Sequence, residues 1–268
     1  MMNFNQVLSK AEVEQFVEEG YVVVRGATPR PVAQIIQERV LKMMPGIDPN
    51  DPATWKQPVI GLKESIDDAQ SAAAFTPRLV GAMEDLMGKG RWDLATRLGW
   101  FPTSFPGHVA GPWKAPVDGW HVDGGWFHHH VNSKEQGLLP IHLLTDIDPG
   151  GGGTAILPGS HMFVARLLAQ SEPEGLSPAQ LVPPIEPYVI ENLDRVIEMT
   201  GQMGDVVLTH PFMVHAQSPN TGRRIRIIAN PAQSYREPMN LNPADASNFS
   251  PVERAIVMGL NQMAAAKK

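Results

Sequence analysis

Apolar positions recur at helical spacing through the first third of the chain and then give way to short alternating runs. Ser9-Lys10-Ala11-Glu12 has the form of a capping box, in which a hydroxyl and a carboxylate each accept an N–H of the first turn. Val13, Phe16 and Val17 follow on one helical face, and Gly20 predicts the stop. Tyr21 to Val24 is aromatic and β-branched and reads as a strand. Pro31 suits the first turn of a second helix, with Val32, Ile35, Ile36 and Val40 as its apolar stripe. The segment from Pro45 to Pro58 carries four prolines and is expected to be loop. Thr76-Pro77 has the form of an N-cap and first helical residue, opening a helix with Leu79, Val80, Met83, Leu86 and Met87 on one side and Gly88 at its end.

From about Arg97 the pattern changes. Arg97 to Trp100, Leu138 to Ile147, Thr154 to Leu157, Asp205 to His210 and Arg224 to Asn230 are strand-like runs separated by Gly and Pro. Many short strands with turn signals predict a sandwich or barrel. The expected fold is mainly β with a helical cover: a double-stranded β-helix (jelly-roll, cupin-like) core with N-terminal helices. No linker or repeat divides the chain, so residues 1–268 are expected to form a single domain. Its parts would be a helical segment over about 1–95, a jelly-roll core over about 96–237, and a C-terminal tail and helix over 238–268.

Composition narrows the chemistry. A chain of 268 residues with 43% hydrophobic and 19% charged residues has the makeup of an ordinary soluble globule. A net charge of −6 provides no field for nucleic acid or an anionic membrane. No run approaches the roughly 18 apolar residues of a membrane span, and Met1 to Lys10 has no apolar signal core, so a cytoplasmic protein is expected. With no cysteine, a metal would have to be held by His and carboxylate.

All nine histidines lie between His108 and His215. Among them His121-Val122-Asp123 stands out, because side chains at i and i+2 of a strand point the same way. Two imidazoles and a carboxylate can occupy one face of Fe(II), leaving sites for a bidentate co-substrate and O2. The second imidazole must come from a distant strand, and position alone leaves His210 and His215 both open. Trp113, Trp120, Trp126 and Phe127 supply apolar bulk for a substrate pocket. Period two on Arg224-Ile225-Arg226-Ile227 would set both arginines on one face, where an inward guanidinium calls for an anion such as a dicarboxylate. His128-His129-His130 is read as exposed within a mobile loop, Gly124 to Gly137, with Trp126 and Phe127 facing inward. His161 is read as a residue of a helix N-terminus packing the barrel. The turn Gly150 to Gly153 lacks the Lys-Ser/Thr and the helix of a phosphate loop.

Taken together these segments resemble the phytanoyl-CoA dioxygenase family of Fe(II)/2-oxoglutarate-dependent oxygenases. The matching residues are His121-Val122-Asp123, Leu144-Thr145-Asp146, Gly153 through Leu157-Pro158-Gly159-Ser160-His161, Gly204-Asp205, His215, Ser218-Pro219-Asn220 and Arg226, with the N-terminal helix and strand from Glu12 to Gly26. The resemblance covers roughly residues 7 to 237. It implies His121, Asp123 and His215 as iron ligands, choosing His215 over His210, and Arg226 over Arg224 as the anchor of 2-oxoglutarate. His142 stands where some members have a Trp beside the co-substrate, and Gln217 where a Ser is common. With Thr154, these are the further expected co-substrate contacts. It also implies Fe(II), 2-oxoglutarate and O2 as cofactors, a small or medium metabolite as substrate, and succinate and CO2 as co-products. Members that halogenate replace the carboxylate of the His-x-Asp motif with a small residue, so Asp123 implies a hydroxylase-type enzyme. From the residues alone, a cupin-like metalloenzyme that does not use 2-oxoglutarate and a non-catalytic ligand-binding relative remain the alternatives.

Overall fold

The structure, a computed structural model, describes residues 6–266. Helix α1 (Lys10–Glu19) starts at the Ser9 cap, whose hydroxyl accepts from Glu12 N–H, and Gly20 ends it in the left-handed conformation at φ 82°. Strand β1 (Tyr21–Val24) follows directly, then α2 (Arg30–Lys42), β2 (Val59–Ile66), the short α3 (Ala69–Ala73) and α4 (Pro77–Met87). The remaining elements are β3 (Leu98–Ser104), β4 (Leu139–Leu143), β5 (Ala155–Ile156), α5 (Ser160–Gln170), α6 (Pro178–Ile190), β6 (Ile197–Glu198), β7 (Val206–Thr209), β8 (His215–Ala216), β9 (Arg226–Ala229) and α7 (Pro251–Ala266).

Two antiparallel sheets face each other. The larger has the order β1-β7-β4-β9-β3-β2, the smaller β6-β5-β8. An isolated antiparallel bridge from His121 to His215 adds one more chain segment to the smaller sheet. Alternation along the strands sorts their side chains into two layers. Val23, Ile141, Leu143, Val207 and Ile228 of the large sheet meet Ile156, Ile197, Met199 and Met213 between the sheets. The outward residues Val22, Val24, Val206, Leu208, Ile227 and Ala229 join the larger cluster with α1, α2 and α4. This is the jelly-roll core with a helical cover.

Several expectations are corrected. Strand β2 falls inside the segment expected to be helical, and β1 and β2 form the two edges of the large sheet, so the strand core draws on more of the chain than residues 96–237. In β2 a bulge between Leu62 and Ser65 leaves Leu62 and Ile66 as its buried residues, four apart, a spacing that does not read as a half-buried strand. Helix α6 has no counterpart in the sequence reading because Pro183, Pro184 and Pro187 lie inside it. Its buried Leu181, Ile185 and Val189 nevertheless keep the i, i+4, i+8 stripe. In α2 the buried residues are Ala33, Ile36 and Val40, whereas Ile35 is exposed. The final helix is tied down by Glu253, fully buried, which accepts from Arg91, Ser250 N–H and Asn240 N–H.

Candidate metal centre

His121 and His215 pair through backbone hydrogen bonds in both directions, each 3.0 Å, which sets their imidazoles side by side at 4.4 Å between ring centroids. Asp123, two residues after His121, returns to the same face. Its Oδ1 lies 3.5 Å from His121 Nε2 and 3.6 Å from His215 Nε2. One ligand atom from each of the three residues lies within 4.8 Å of the others. The other ring nitrogens are engaged with backbone: His121 Nδ1 lies 2.8 Å from Gly119 O, and His215 Nδ1 3.0 Å from Met213 O. A carbonyl can only accept, so each Nδ1 carries a proton and Nε2 is the nitrogen turned toward the common point. That is the orientation a metal needs. Burial works to raise the Asp123 pKa, but the imidazoles of His215 and His121 hold it well below the usual carboxylate range. A carboxylate and two imidazole Nε2 atoms, which become neutral donors when a metal displaces their protons, suit a divalent cation, so the residues present fit the implied iron.

The motif residues around this cluster do positioning work. Ser160 Oγ accepts from Val214 N–H at 2.9 Å, and Leu157 N–H reaches Val214 O at 3.1 Å, fixing the segment just before His215. Asp205 accepts from Gly26 N–H, Gln202 N–H and Arg25, locking the start of β7 to the end of β1. Asp146 takes a two-pronged contact from Arg30, both bonds 2.8 Å. Asn220 Nδ2 donates to Arg224 O at 2.8 Å and shapes the turn that leads into β9.

The glycine turn holds an anion from within the chain. Glu198 accepts from Gly150 N–H at 2.7 Å and from Gly152 and Gly153 N–H at 2.9 Å. A side chain at Gly153 would stand 2.1 Å from Met199 O, so only glycine permits this approach. Gly152 O in turn accepts from Arg226 Nε at 2.6 Å, and Pro102 O from Arg226 Nη1 at 3.1 Å. Arg226 is 1% exposed. Burial pulls its pKa down to about 10, against an opposing pull from Glu198. The guanidinium thus lies in the interior, bonded to carbonyls rather than to a carboxylate, with Glu198 offsetting part of its charge from a distance.

The predicted site residues do not all converge. By alternation Arg226, Ile228 and Asn230 share the inward face of β9 and the residue after it. Asn230 Nδ2 donates to Asp123 Oδ2 at 2.9 Å. Asn230 was missed by the sequence reading, although its spacing of four from Arg226 was a usable signal. Thr154 is buried and leads into β5 on the same side as Ile156. His142 is a correction: it pairs with Val206 and Ala229 on the opposite face of the sheet, and its ring packs edge-on to Phe75 at 5.0 Å. Both its ring nitrogens are buried without partners, and burial pushes its pKa down to about 3. Gln217 is exposed. Arg224 precedes the strand, is exposed, and lies near Asp146 and Asp148, so the two arginines do not share a face.

A cavity of about 1090 Å³ opens over His121 and Asp123. Of the predicted pocket aromatics, only Trp126 is among its wall residues, and it is 66% exposed rather than turned inward. Trp120 is a core residue whose Nε1 donates to Pro116 O, because it alternates away from His121. Trp113 donates to Ser218 Oγ near the glycine turn, and Phe127 packs between Trp126 and His129. The missed wall residues include Lys63, Glu64 and Ser65 of β2, Arg97, Trp100, and Val182 of α6. His129 is buried and bonded to Gly124 O and to Leu176, and His130 contacts Glu172, so the His128–His130 segment is latched down rather than wholly exposed. His161 sits buried in the first turn of α5, as expected.

The family model for phytanoyl-CoA dioxygenase (PhyH) matches residues 16–228. This chain belongs to the phytanoyl-CoA dioxygenase family of Fe(II)/2-oxoglutarate-dependent oxygenases. Among solved structures it is similar to EctD from S. alaskensis in its apoform, at 17% identity and TM-score 0.54, over 87% of this chain and 79% of that one. It is similar to SnoK, a non-heme alpha ketoglutarate dependent carbocyclase from nogalamycin biosynthesis, at 17% identity and TM-score 0.54, over 91% and 92% of the two chains. The epimerase SnoN, in complex with Fe3+, alpha ketoglutarate and nogalamycin RO, matches at 20% identity and TM-score 0.52, over 85% and 86%. At these identities the likeness is one of fold. Among the described residues, no helix of this family member is long and apolar enough to cross a membrane.

Proposed function

We propose that the protein oxidises an unactivated C–H bond of a small or medium metabolite, in the hydroxylase manner, with His121, Asp123 and His215 holding Fe(II) and Arg226 anchoring 2-oxoglutarate. The reading takes residues 1–268 as one oxygenase unit. The observation that carries it is the placement of a buried guanidinium, bonded to carbonyls and to no carboxylate, on the same inward face as Asn230, which touches Asp123. A dicarboxylate that reached from the His-Asp-His cluster toward Arg226 would satisfy both ends.

Bound in this cluster, Fe(II) with 2-oxoglutarate and O2 supplies the oxidising power, and succinate and CO2 are released. The chain's own residues supply orientation and exclusion of water. Gly119 O and Met213 O fix the two imidazoles, and Asn230 fixes the carboxylate between them. Gly152 O, itself held by the Glu198 cradle, aims the guanidinium. The Thr154 hydroxyl is the further polar group we assign to the co-substrate, in preference to His142 and Gln217. The intact Asp123 carboxylate supports hydroxylation over halogenation, since it fills the position a halide would need.

The test is succinate formation from 2-oxoglutarate by the Fe(II)-loaded protein with ascorbate. Turnover that depends on His215 and Arg226 is expected. Iron binding with no succinate under any substrate would overturn the reading in favour of a metal-binding protein of other chemistry.

A further inference from the structure

Two indoles stand out into the same space. Trp100 is 52% exposed and Trp126 66%, and both line the cavity over Asp123. The other large exposed hydrophobics among the described residues, Ile35, Leu94, Val109, Val117 and Ile190, are aliphatic, and none of them lines it. An indole left in water forgoes much of its burial energy, which is recovered when a flat apolar ligand covers it. Each indole has a firm base. Trp126 rests against Phe127 at 5.6 Å, and Phe127 against the buried His129 at 4.3 Å. Trp100 lies in β3 opposite the β2 bulge, held on either side by the pairs Gly99–Ser65 and Phe101–Leu62.

The rest of the wall says what charge the ligand carries. Val122, Leu139, Val182 and Pro231 are apolar, while Lys63 and Arg97 are matched by Glu64 and Glu135, with Asp123 a third carboxylate that belongs to the metal cluster. Such a wall has no cationic excess for phosphates, which an acyl-CoA would bring. The volume of about 1090 Å³ lies just above the range for drug-sized ligands, roughly 300–1,000 Å³. We infer that the substrate is an uncharged, planar ring system stacked on Trp100 and Trp126, not an acyl-CoA thioester. The inference rests on the reading of His121, Asp123 and His215 as the reactive centre beneath that cavity.

Calorimetric titration of the anaerobic protein, loaded with Fe(II) and 2-oxoglutarate, tests it without turnover. The probes are 2-naphthol, its saturated counterpart trans-2-decalol with the same hydroxyl, and octanoyl-CoA. Naphthol is expected to bind about tenfold more tightly than decalol, and more tightly than the thioester. Trp100→Ala and Trp126→Ala should each erase about threefold or more of the naphthol preference while leaving decalol affinity nearly unchanged. Both side chains are on the surface, so their loss should leave thermal unfolding intact. Equal affinities for the two ring probes, no binding of either, tightest binding by octanoyl-CoA, or a preference that survives in the double variant would each overturn the inference. Succinate formed by the wild-type protein without substrate reports separately on the oxygenase reading. Succinate without ring preference removes only the substrate inference; absence of both iron binding and succinate removes the reading beneath it.

Discussion

His121 and His215, ninety-four residues apart in sequence, exchange both backbone hydrogen bonds at 3.0 Å, and this bridge is what sets their imidazoles side by side. With Asp123 they form a three-point cluster that could hold a metal ion. His121→Ala, Asp123→Ala and His215→Ala should each abolish stoichiometric Fe(II) binding and turnover. His210→Ala should keep the metal equivalent, because His210 bonds to Val252 O and Phe212 N–H away from the cluster. Metal analysis after gel filtration decides it; a metal-free His210→Ala protein that still folds would move the second imidazole from His215.

Arg226→Ala should raise the apparent KM for 2-oxoglutarate while leaving iron binding close to wild type. Removing one partner of a buried charge-assisted pair costs about 2–5 kcal/mol, roughly thirtyfold or more in affinity. Arg224→Ala is the contrast: exposed and near Asp146 and Asp148, it should change KM little. Steady-state kinetics in 2-oxoglutarate that gave the larger effect to Arg224 would place the anchor outside the strand.

Asn230→Leu should weaken iron binding by about 10–100-fold, the usual effect of removing a hydrogen bond that orients a ligand. The variant keeps the branching at Cγ but leaves Asp123 Oδ2 without its 2.9 Å donor. Titration with Fe(II) under anaerobic conditions measures it, and unchanged affinity would reduce Asn230 to a packing residue.

Acid should destabilise the fold from near neutrality through three buried histidines. Burial pushes His142 down to about 3 and His161 down to about 4, and holds His210 well below its ordinary value. Unfolded, each titrates near about 6.5, so between that pH and the folded values the unfolded chain binds more protons and stability falls as pH falls. The slope is about 1.4 kcal/mol per pH unit for each histidine. Urea midpoints should therefore drop from pH 7 to pH 5. His142→Leu, which removes two buried unpartnered nitrogens, should flatten the slope by one histidine's share and leave the KM for 2-oxoglutarate unchanged. An unaltered slope, or a raised KM, would contradict the placement of His142 behind the sheet.

Replacing His128, His129 and His130 together by Ala should leave the iron stoichiometry at one while lowering thermal stability. The stability loss comes from His129, which is buried against Phe127 and bonded to Gly124 O, and from the His130–Glu172 contact. Loss of a metal equivalent in the folded variant would reveal a second site.

The local elements were legible in the sequence wherever one short-range rule governed them. The Ser9 capping box, the Thr76-Pro77 start of α4 and the Gly20 stop depend on backbone groups within a turn of the residue itself. The His-x-Asp pair was legible because a spacing of two returns side chains to one face of extended backbone, here a bridge residue followed by a bend, and the chain's family motifs singled out His215 as its distant partner. Other features were settled by contacts between segments far apart in sequence. The bulge in β2 hid its alternation, and the internal prolines hid α6 although its apolar stripe persisted. Which face of β4 looks inward decided against His142, since the same alternation that buries Leu139, Ile141 and Leu143 toward the small sheet turns His142 to Phe75. Likewise Glu198 in the glycine cradle, Ser160 beneath Val214 and Asn230 against Asp123 are pairings across 45 to 107 positions. A sequence states which groups can donate or accept; the register and the stacking of the two sheets decide which of them meet.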